Sequence, residues 1–246
     1  MKRAYPRVDR GEKSQLKQDK PVRPKDAATL ILLRGGKSLP LVLLGRRPMK
    51  SRFMPGFFVF PGGKFDRDDE FVGARYQLNE ETTNLLSTRC SRRRANALAW
   101  TAIRETWEET GLLVGLPAET GHEDPAPGED GAMRAFKGLG LKPNTHALFY
   151  VARAITPTSS PIRYDTRFFV ANGEGLFGSL QDSEELSDTA WRPIADAFND
   201  DAIADVTKFA LRQALKHWTM PGSRQPYSVP TMHRHHRRVV IRNVNA

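Results

Sequence analysis

Three glutamates within five residues, Glu105, Glu108 and Glu109, sit in a stretch whose apolar residues recur at helical spacing. At about 100° per residue the three carboxylates share an arc of roughly 100°, while Ala99, Ala102, Ile103, Thr106 and Trp107 fall on another. The spacing predicts a helix over 95–110 with a core face and a separate acidic face. Gly111 suits its C-terminal end because glycine tolerates the positive φ needed there. Like charges three or four apart oppose a helix by roughly 0.2–0.5 kcal/mol per pair. A counter-ion removes that penalty, and Mg²⁺ is a cation that takes oxygen ligands. Taken alone, the glutamates also fit a solvated acidic face.

The surroundings read as alternating strands and helices. Residues 28–34 form an apolar run of strand length, Gly35 to Ser38 a turn, and 39–47 its hairpin partner. Residues 57–60 are a third strand that delivers Pro61-Gly62-Gly63. Further strands are expected over 147–152, 164–171 and 186–193, with a last one over 238–241. Residues 205–218 form an amphipathic helix with Val206, Phe209, Ala210, Ala214 and Leu215 on its apolar face. Residues 115–137 are rich in Pro and Gly and read as a loop interrupted by a short helix over 131–137. This alternation predicts an α/β domain.

The string Arg104-Glu105-x-x-Glu108-Glu109-x-Gly111-Leu112, with Phe60-Pro61-Gly62-Gly63 upstream, resembles the signature of the Nudix hydrolases. The resemblance implies a Nudix-type α/β/α sandwich with a mixed sheet. It also implies a hydrolase that cleaves the pyrophosphate linkage of a nucleoside diphosphate joined to another moiety. Glu105, Glu108 and Glu109 are then expected to hold Mg²⁺, with Mn²⁺ able to substitute, and the Gly63 carbonyl to complete the metal shell. Arg104 is expected to orient a glutamate, and Glu108 to take part in catalysis. Gly62 and Arg167 are candidate substrate contacts. The proton acceptor in such enzymes is a glutamate of the helix or an acid on a distant loop, and Glu185 is the distant candidate. The order of motifs, with Tyr164-Asp165-Thr166-Arg167 downstream, resembles the branch that contains organellar CoA diphosphatases, so CoA or acyl-CoA leads the expected substrates.

One departure is large. The family pattern places thirteen residues between the second glycine and the arginine, and here forty separate Gly63 from Arg104. The excess is assigned to an insertion over 67–94, with a short helix over 79–86. The signature's first acid has two nominal positions as a result: Asp69, counted from Gly63, or Asn96, counted back from Arg104.

Charge is uneven along the 246 residues. Residues 1–26 hold nine Lys/Arg against four Asp/Glu, and 216–246 hold six Lys/Arg and no acid, so 27–215 carries a net −1. The expected organisation is a basic, disordered tail over 1–26, a Nudix domain over 27–220 and a basic extension over 221–246. His233, His235 and His236 are read as part of a solvated tail. No run of eighteen apolar residues occurs, so no membrane partner is expected. The single cysteine, Cys90, suits a reducing compartment, and a cytoplasmic location is expected. Its basic neighbours favour a thiolate, but no partner for thiol chemistry is evident. Nucleic acid is not an expected partner, and a homodimer stays open. Two alternatives share these residues: a nucleotide-sensing module that contacts nucleic acid through its basic ends, and a housecleaning nucleoside triphosphate pyrophosphatase.

Overall fold

The computed structural model describes residues 22–119, 131–220, 229–235 and 238–244. In chain order the strands are β1 (Lys25–Arg34), β2 (Leu41–Arg46), β3 (Phe58–Val59), β4 (Gly62–Lys64), β5 (Leu112–Leu113), β6 (Gly115–Pro117), β7 (Leu141–Pro143), β8 (Phe149–Ile155), β9 (Tyr164–Asn172), β10 (Phe177–Gly178), β11 (Ser187–Pro193), β12 (Val229–His235) and β13 (Arg238–Val244). The helices are α1 (Asp69–Gly73), α2 (Glu80–Ser87), α3 (Arg92–Thr110), α4 (Gly131–Gly138), α5 (Ile194–Asn199) and α6 (Asp205–Thr219).

The main sheet is mixed and runs β11-β2-β1-β9-β8-β12-β13, with β3 added to β2 and β4 to β1. Its centre is the parallel pair β1–β9, in register from Lys25 opposite Tyr164 to Leu33 opposite Asn172. Both faces of β1 are covered, which explains why it reads as an unbroken apolar run. Ala28, Leu30 and Leu32 pack with Leu98, Trp100, Ala102 and Ile103 of α3. Ile31 and Leu33 point the other way and pack with Phe209, Ala210, Leu211 and Ala214 of α6. The chain is thus an α/β sandwich, as expected.

The α3 helix is set by its ends and by small residues. Ser91 caps the first turn by accepting from the Arg94 N–H at 3.2 Å. Gly111, at φ 73°, closes the last turn in the left-handed conformation, its N–H donating to the Trp107 carbonyl at 2.8 Å. Between them Ala95, Ala97, Ala99 and Ala102 are fully buried. The insertion does not hang free. Asn79 caps α2 by accepting from the Thr82 N–H at 2.8 Å, and its amide donates to the carbonyls of His146 and Leu148 at 2.9 Å each.

Two expectations are corrected. The ordered domain starts before Ala27, because Lys25 and Asp26 already pair with β9. The basic C-terminal segment is not a solvated tail throughout. β12 adds to the main sheet alongside β8, with Met232 opposite Ala154, and β13 folds back on it from Arg238 opposite His235. His236 lies outside the described residues. No helix among the described residues is long and apolar enough to cross a membrane.

Candidate active site

The glycine turn and the helix are built into each other. The Gly62 N–H donates to Oε2 of Glu109 at 2.8 Å. A side chain at Gly62, whose φ is 153°, would stand 2.6 Å from the Ala28 carbonyl oxygen. A Cβ at Gly63 would stand 2.5 Å from the Glu105 carboxylate. Glycine at 62 lets β4 lie this close to β1, and glycine at 63 leaves the Glu105 carboxylate its place against the turn.

Arg104 is the hub of the cluster. Its Nη1 donates to Oε1 of Glu105 at 3.0 Å and to Oε2 of Glu108 at 2.9 Å. Its Nη2 reaches the Lys64 carbonyl at 3.3 Å, which ties the helix to the turn. Its remaining edge faces Asp69: Nε to Oδ1 at 2.8 Å and Nη2 to Oδ2 at 3.1 Å. Asp69 is 2% exposed and also accepts from the Thr101 hydroxyl at 2.7 Å and the Asp66 N–H at 2.9 Å. Of the two nominal positions for the upstream acid, Asp69 is therefore the one that meets Arg104. Asn96 is a buried structural group that accepts from the Leu78 N–H at 3.3 Å.

The glutamates have three different environments. Glu108 is 40% exposed, the Glu105 side chain 13%, and Glu109 only 2%. The acidic face is thus not a solvated one. Burial pushes the Glu105 carboxyl up to about 7; Arg104 opposes the shift and Glu108 adds to it. Burial also raises the Glu109 carboxyl well above its ordinary value, against the Gly62 N–H. Two carboxyls with raised affinity for protons mark a place with too little positive charge. That is a fit for a divalent cation, which favours hard oxygen donors. Among the described residues no three His, Cys, Asp or Glu side chains converge as a ready cage. Arg104 Nη1 lies between Glu105 and Glu108, where it partly neutralises them.

These shifts predict a pH effect on the metal-free protein. Glu105 ionises near 4.5 when unfolded and near 7 when folded. The folded state holds the extra proton between these values, so its stabilisation is complete below about 4.5 and lost as pH rises through about 7. Glu109 acts in the same direction. Calorimetry in EDTA is expected to show lower stability at pH 8 than at pH 5 by a Glu105 contribution on the order of 2–3 kcal/mol. A smaller difference is expected for Glu105→Gln.

Glu105, Glu108, Gly62, Gly63 and Lys64 line one end of a cavity of about 640 Å³. Glu185, from the loop before β11, and Arg47, just after β2, line it too. Glu185 lies near enough to raise both Glu105 and Glu109. The structure thereby brings this sequence candidate to the glutamate helix across more than seventy residues of chain. Arg47 was not singled out from sequence. Its Nε is buried without a hydrogen-bond partner, and its charge acts on Glu109. The rest of the wall is largely apolar, including Phe53, Met54, Phe60, Ile155, Phe168 and Met232. Met54 holds a positive φ of 51° where it borders the cavity, a conformation uncommon outside glycine.

Arg167 is not at the cavity. Side chains alternate along β9, so Thr166 and Phe168 face the cavity and Arg167 faces the opposite side. There it is 4% exposed, with Nη1 at 2.6 Å from Asp26 Oδ1 and 2.7 Å from the Asp165 carbonyl. The expected substrate contact is a structural ion pair instead. Cys90, half-buried nearby, has its thiol pushed up by burial, which outweighs the arginines Arg167, Arg153 and Arg94 around it. Its basic neighbours thus leave it a thiol. His233 borders the cavity from β12.

A mixed sheet between helices, with a glycine turn locked against an Arg-Glu-Glu-Glu helix, is the arrangement expected of a Nudix hydrolase, and the chain is similar to members of that family. It is 29% identical to a Nudix hydrolase from Alicyclobacillus acidocaldarius whose crystal structure superposes with a TM-score of 0.62, covering 80% of this chain and 96% of that one. It is also 26% identical, over 205 residues, to the acyl-coenzyme A diphosphatase NUDT19 of Xenopus laevis, covering 65% of this chain. The chain spans about half (54%) of that relative's length. No family model matches the chain.

Proposed function

We propose that this chain is a divalent-metal-dependent hydrolase that cleaves the pyrophosphate linkage of a nucleoside diphosphate joined to another moiety, with CoA or acyl-CoA as the leading substrate. One observation carries the reading. Arg47, the Gly62-Gly63 turn, Glu105 with Glu108, and Glu185 come from four separate stretches of chain and line one cavity, with Arg47 and Glu185 close enough to act on the glutamates. The NUDT19 relative, an acyl-coenzyme A diphosphatase by name, supports the choice of substrate.

Glu105, Glu108 and Glu109, with the Gly63 carbonyl, are the groups that would hold Mg²⁺ or Mn²⁺. Bound there, such an ion neutralises diphosphate oxygens and acidifies a water. Arg104 keeps Glu105 and Glu108 turned toward each other and attached to the glycine turn. Glu185, exposed on its loop and lining the same cavity, is the group placed to accept the proton of the attacking water. Arg47 lines the same cavity, where its guanidinium can pair with the diphosphate by charge-assisted hydrogen bonds. The Gly62 N–H is committed to Glu109, so Gly62 shapes the turn and leaves substrate binding to its neighbours. The lone Cys90 is consistent with a reducing compartment such as the cytoplasm.

The test is a Mg²⁺-supported turnover panel of CoA, octanoyl-CoA, ADP-ribose, NADH, nucleotide sugars and nucleoside triphosphates, with product masses recorded. Release of 4′-phosphopantetheine or its acyl form with adenosine 3′,5′-bisphosphate is the expected result. No hydrolysis of any diphosphate compound rejects the reading. Arg47→Ala is expected to raise KM for the preferred substrate about 10- to 100-fold, the loss of one or two charge-assisted hydrogen bonds, with a smaller change in kcat. A KM within twofold of the native value removes Arg47 from the site.

A further inference from the structure

The floor of the cavity is one row of residues laid across five strands. Lys64 of β4 lies opposite Ala27 of β1, Ala27 opposite Thr166 of β9, Thr166 opposite Ala154 of β8, and Ala154 opposite Met232 of β12. All five line the cavity. Four inter-strand spacings of about 4.8 Å put Met232 roughly 19 Å from the Lys64 end. The near end carries the glutamates, Arg47 and Lys64. The far end is bordered by Ile155 at the end of β8, Pro157 just after it, and Met232, with Thr156 and His233 as its polar groups. The carboxylates and cations of the near end thus give way to a mixed lining of apolar side chains with a few polar groups along one cleft.

A diphosphate held at the near end leaves a long space to fill. One sugar ring spans only a fraction of it. A flexible arm of methylenes with a few amide groups matches both its length and its sparse polar lining. β12 of the C-terminal hairpin, which joins the sheet beside β8, supplies Met232 and His233 to the far wall.

Building on the hydrolase reading above, we propose that β12 of this hairpin, through Met232, closes a subsite for the pantetheine arm and acyl chain of a CoA thioester. The hairpin is then the part of the chain that selects acyl-CoA over compact diphosphates. Met suits this place because its unbranched thioether adapts to chains of differing length.

The test reads binding, so it does not depend on turnover. Calorimetric titrations compare octanoyl-CoA with CoA in Ca²⁺, which accepts the same oxygen ligands in looser geometry. The native chain is expected to bind octanoyl-CoA at least about tenfold more tightly, from burial of several methylenes. Met232→Leu is expected to keep that preference, and Met232→Asp to reduce it to within about twofold. If Met232→Asp does not fold by circular dichroism and melting, Met232→Trp, which fills the far end, is expected to give the same loss. Equal affinity for the two ligands, no binding of either, or a preference untouched in the folded variants overturns the subsite. Acyl preference in binding without Mg²⁺-supported cleavage of any CoA species would leave the subsite standing and reject the hydrolase reading alone.

Discussion

A chain carrying Glu108→Gln and Glu109→Gln together loses its Mg²⁺-supported turnover by at least about 10³-fold, on the order of 4 kcal/mol of transition-state stabilisation. The same variant is expected to be as stable as the native chain or more so. Glu109 is buried and already holds its proton more tightly than an ordinary carboxyl, so a neutral amide suits its surroundings. A Gln oxygen still accepts the Gly62 N–H that now goes to Oε2. Glu108 contacts Arg104, which keeps Asp69 and Glu105 as partners. Opposite signs in activity and stability are the mark of a site whose charges are kept for chemistry rather than for folding. Steady-state kinetics and a melting curve on one preparation measure both. Turnover within tenfold of native would remove the glutamate pair from the reaction.

The second large effect is on folding. Asp69→Ala takes the paired carboxylate from a guanidinium whose side chain is 11% exposed. It also strands the Asp66 N–H and leaves the Thr101 hydroxyl only the Ala97 carbonyl. Breaking a buried pair from one side costs about 3–5 kcal/mol. For a domain of this size that lowers Tm by roughly 6–20 °C. Asp69→Asn keeps the shape and an acceptor oxygen and is expected to lose about half as much. A fall under 2 °C in the alanine variant would show that Asp69 and Arg104 are not a coupled pair in solution. Activity should drop as well, because Arg104 fixes the orientation of Glu105 and Glu108.

The helix, its glycine cap and the central strand were legible because each obeys a local rule. Ala99, Ala102 and Ile103 repeat at helical spacing, Gly111 sits where a left-handed residue is required, and β1 is apolar on both faces because both faces are covered. The partner of Arg104 was not legible. The insertion breaks the register between turn and helix, so Asp69 and Asn96 were equally well placed by counting, and only the packing of α1 against α3 decides between them. Gly73 makes that packing possible, since a Cβ there would stand 2.7 Å from Ala97 Cα. Arg167 misled for a different reason. A strand shows which residues alternate but not which face holds the cavity, and Asp26, which neutralises it, comes from a stretch read as tail. Arg47 and Met232 carry no motif at all. One is notable for a hydrogen bond it lacks, the other for a register across four neighbouring strands, and neither property exists before the chain is folded.

The bond between Asp69 and Arg104 also has a topological consequence. It staples the two ends of the intervening stretch, so whatever length of chain runs between them leaves and returns through the same fixed gate. Closing a loop twice as long adds only about 0.6 kcal/mol. The exposed turn around Thr88 and Arg89 is accordingly a port where foreign sequence can be spliced without disturbing the chemistry a few turns of helix away.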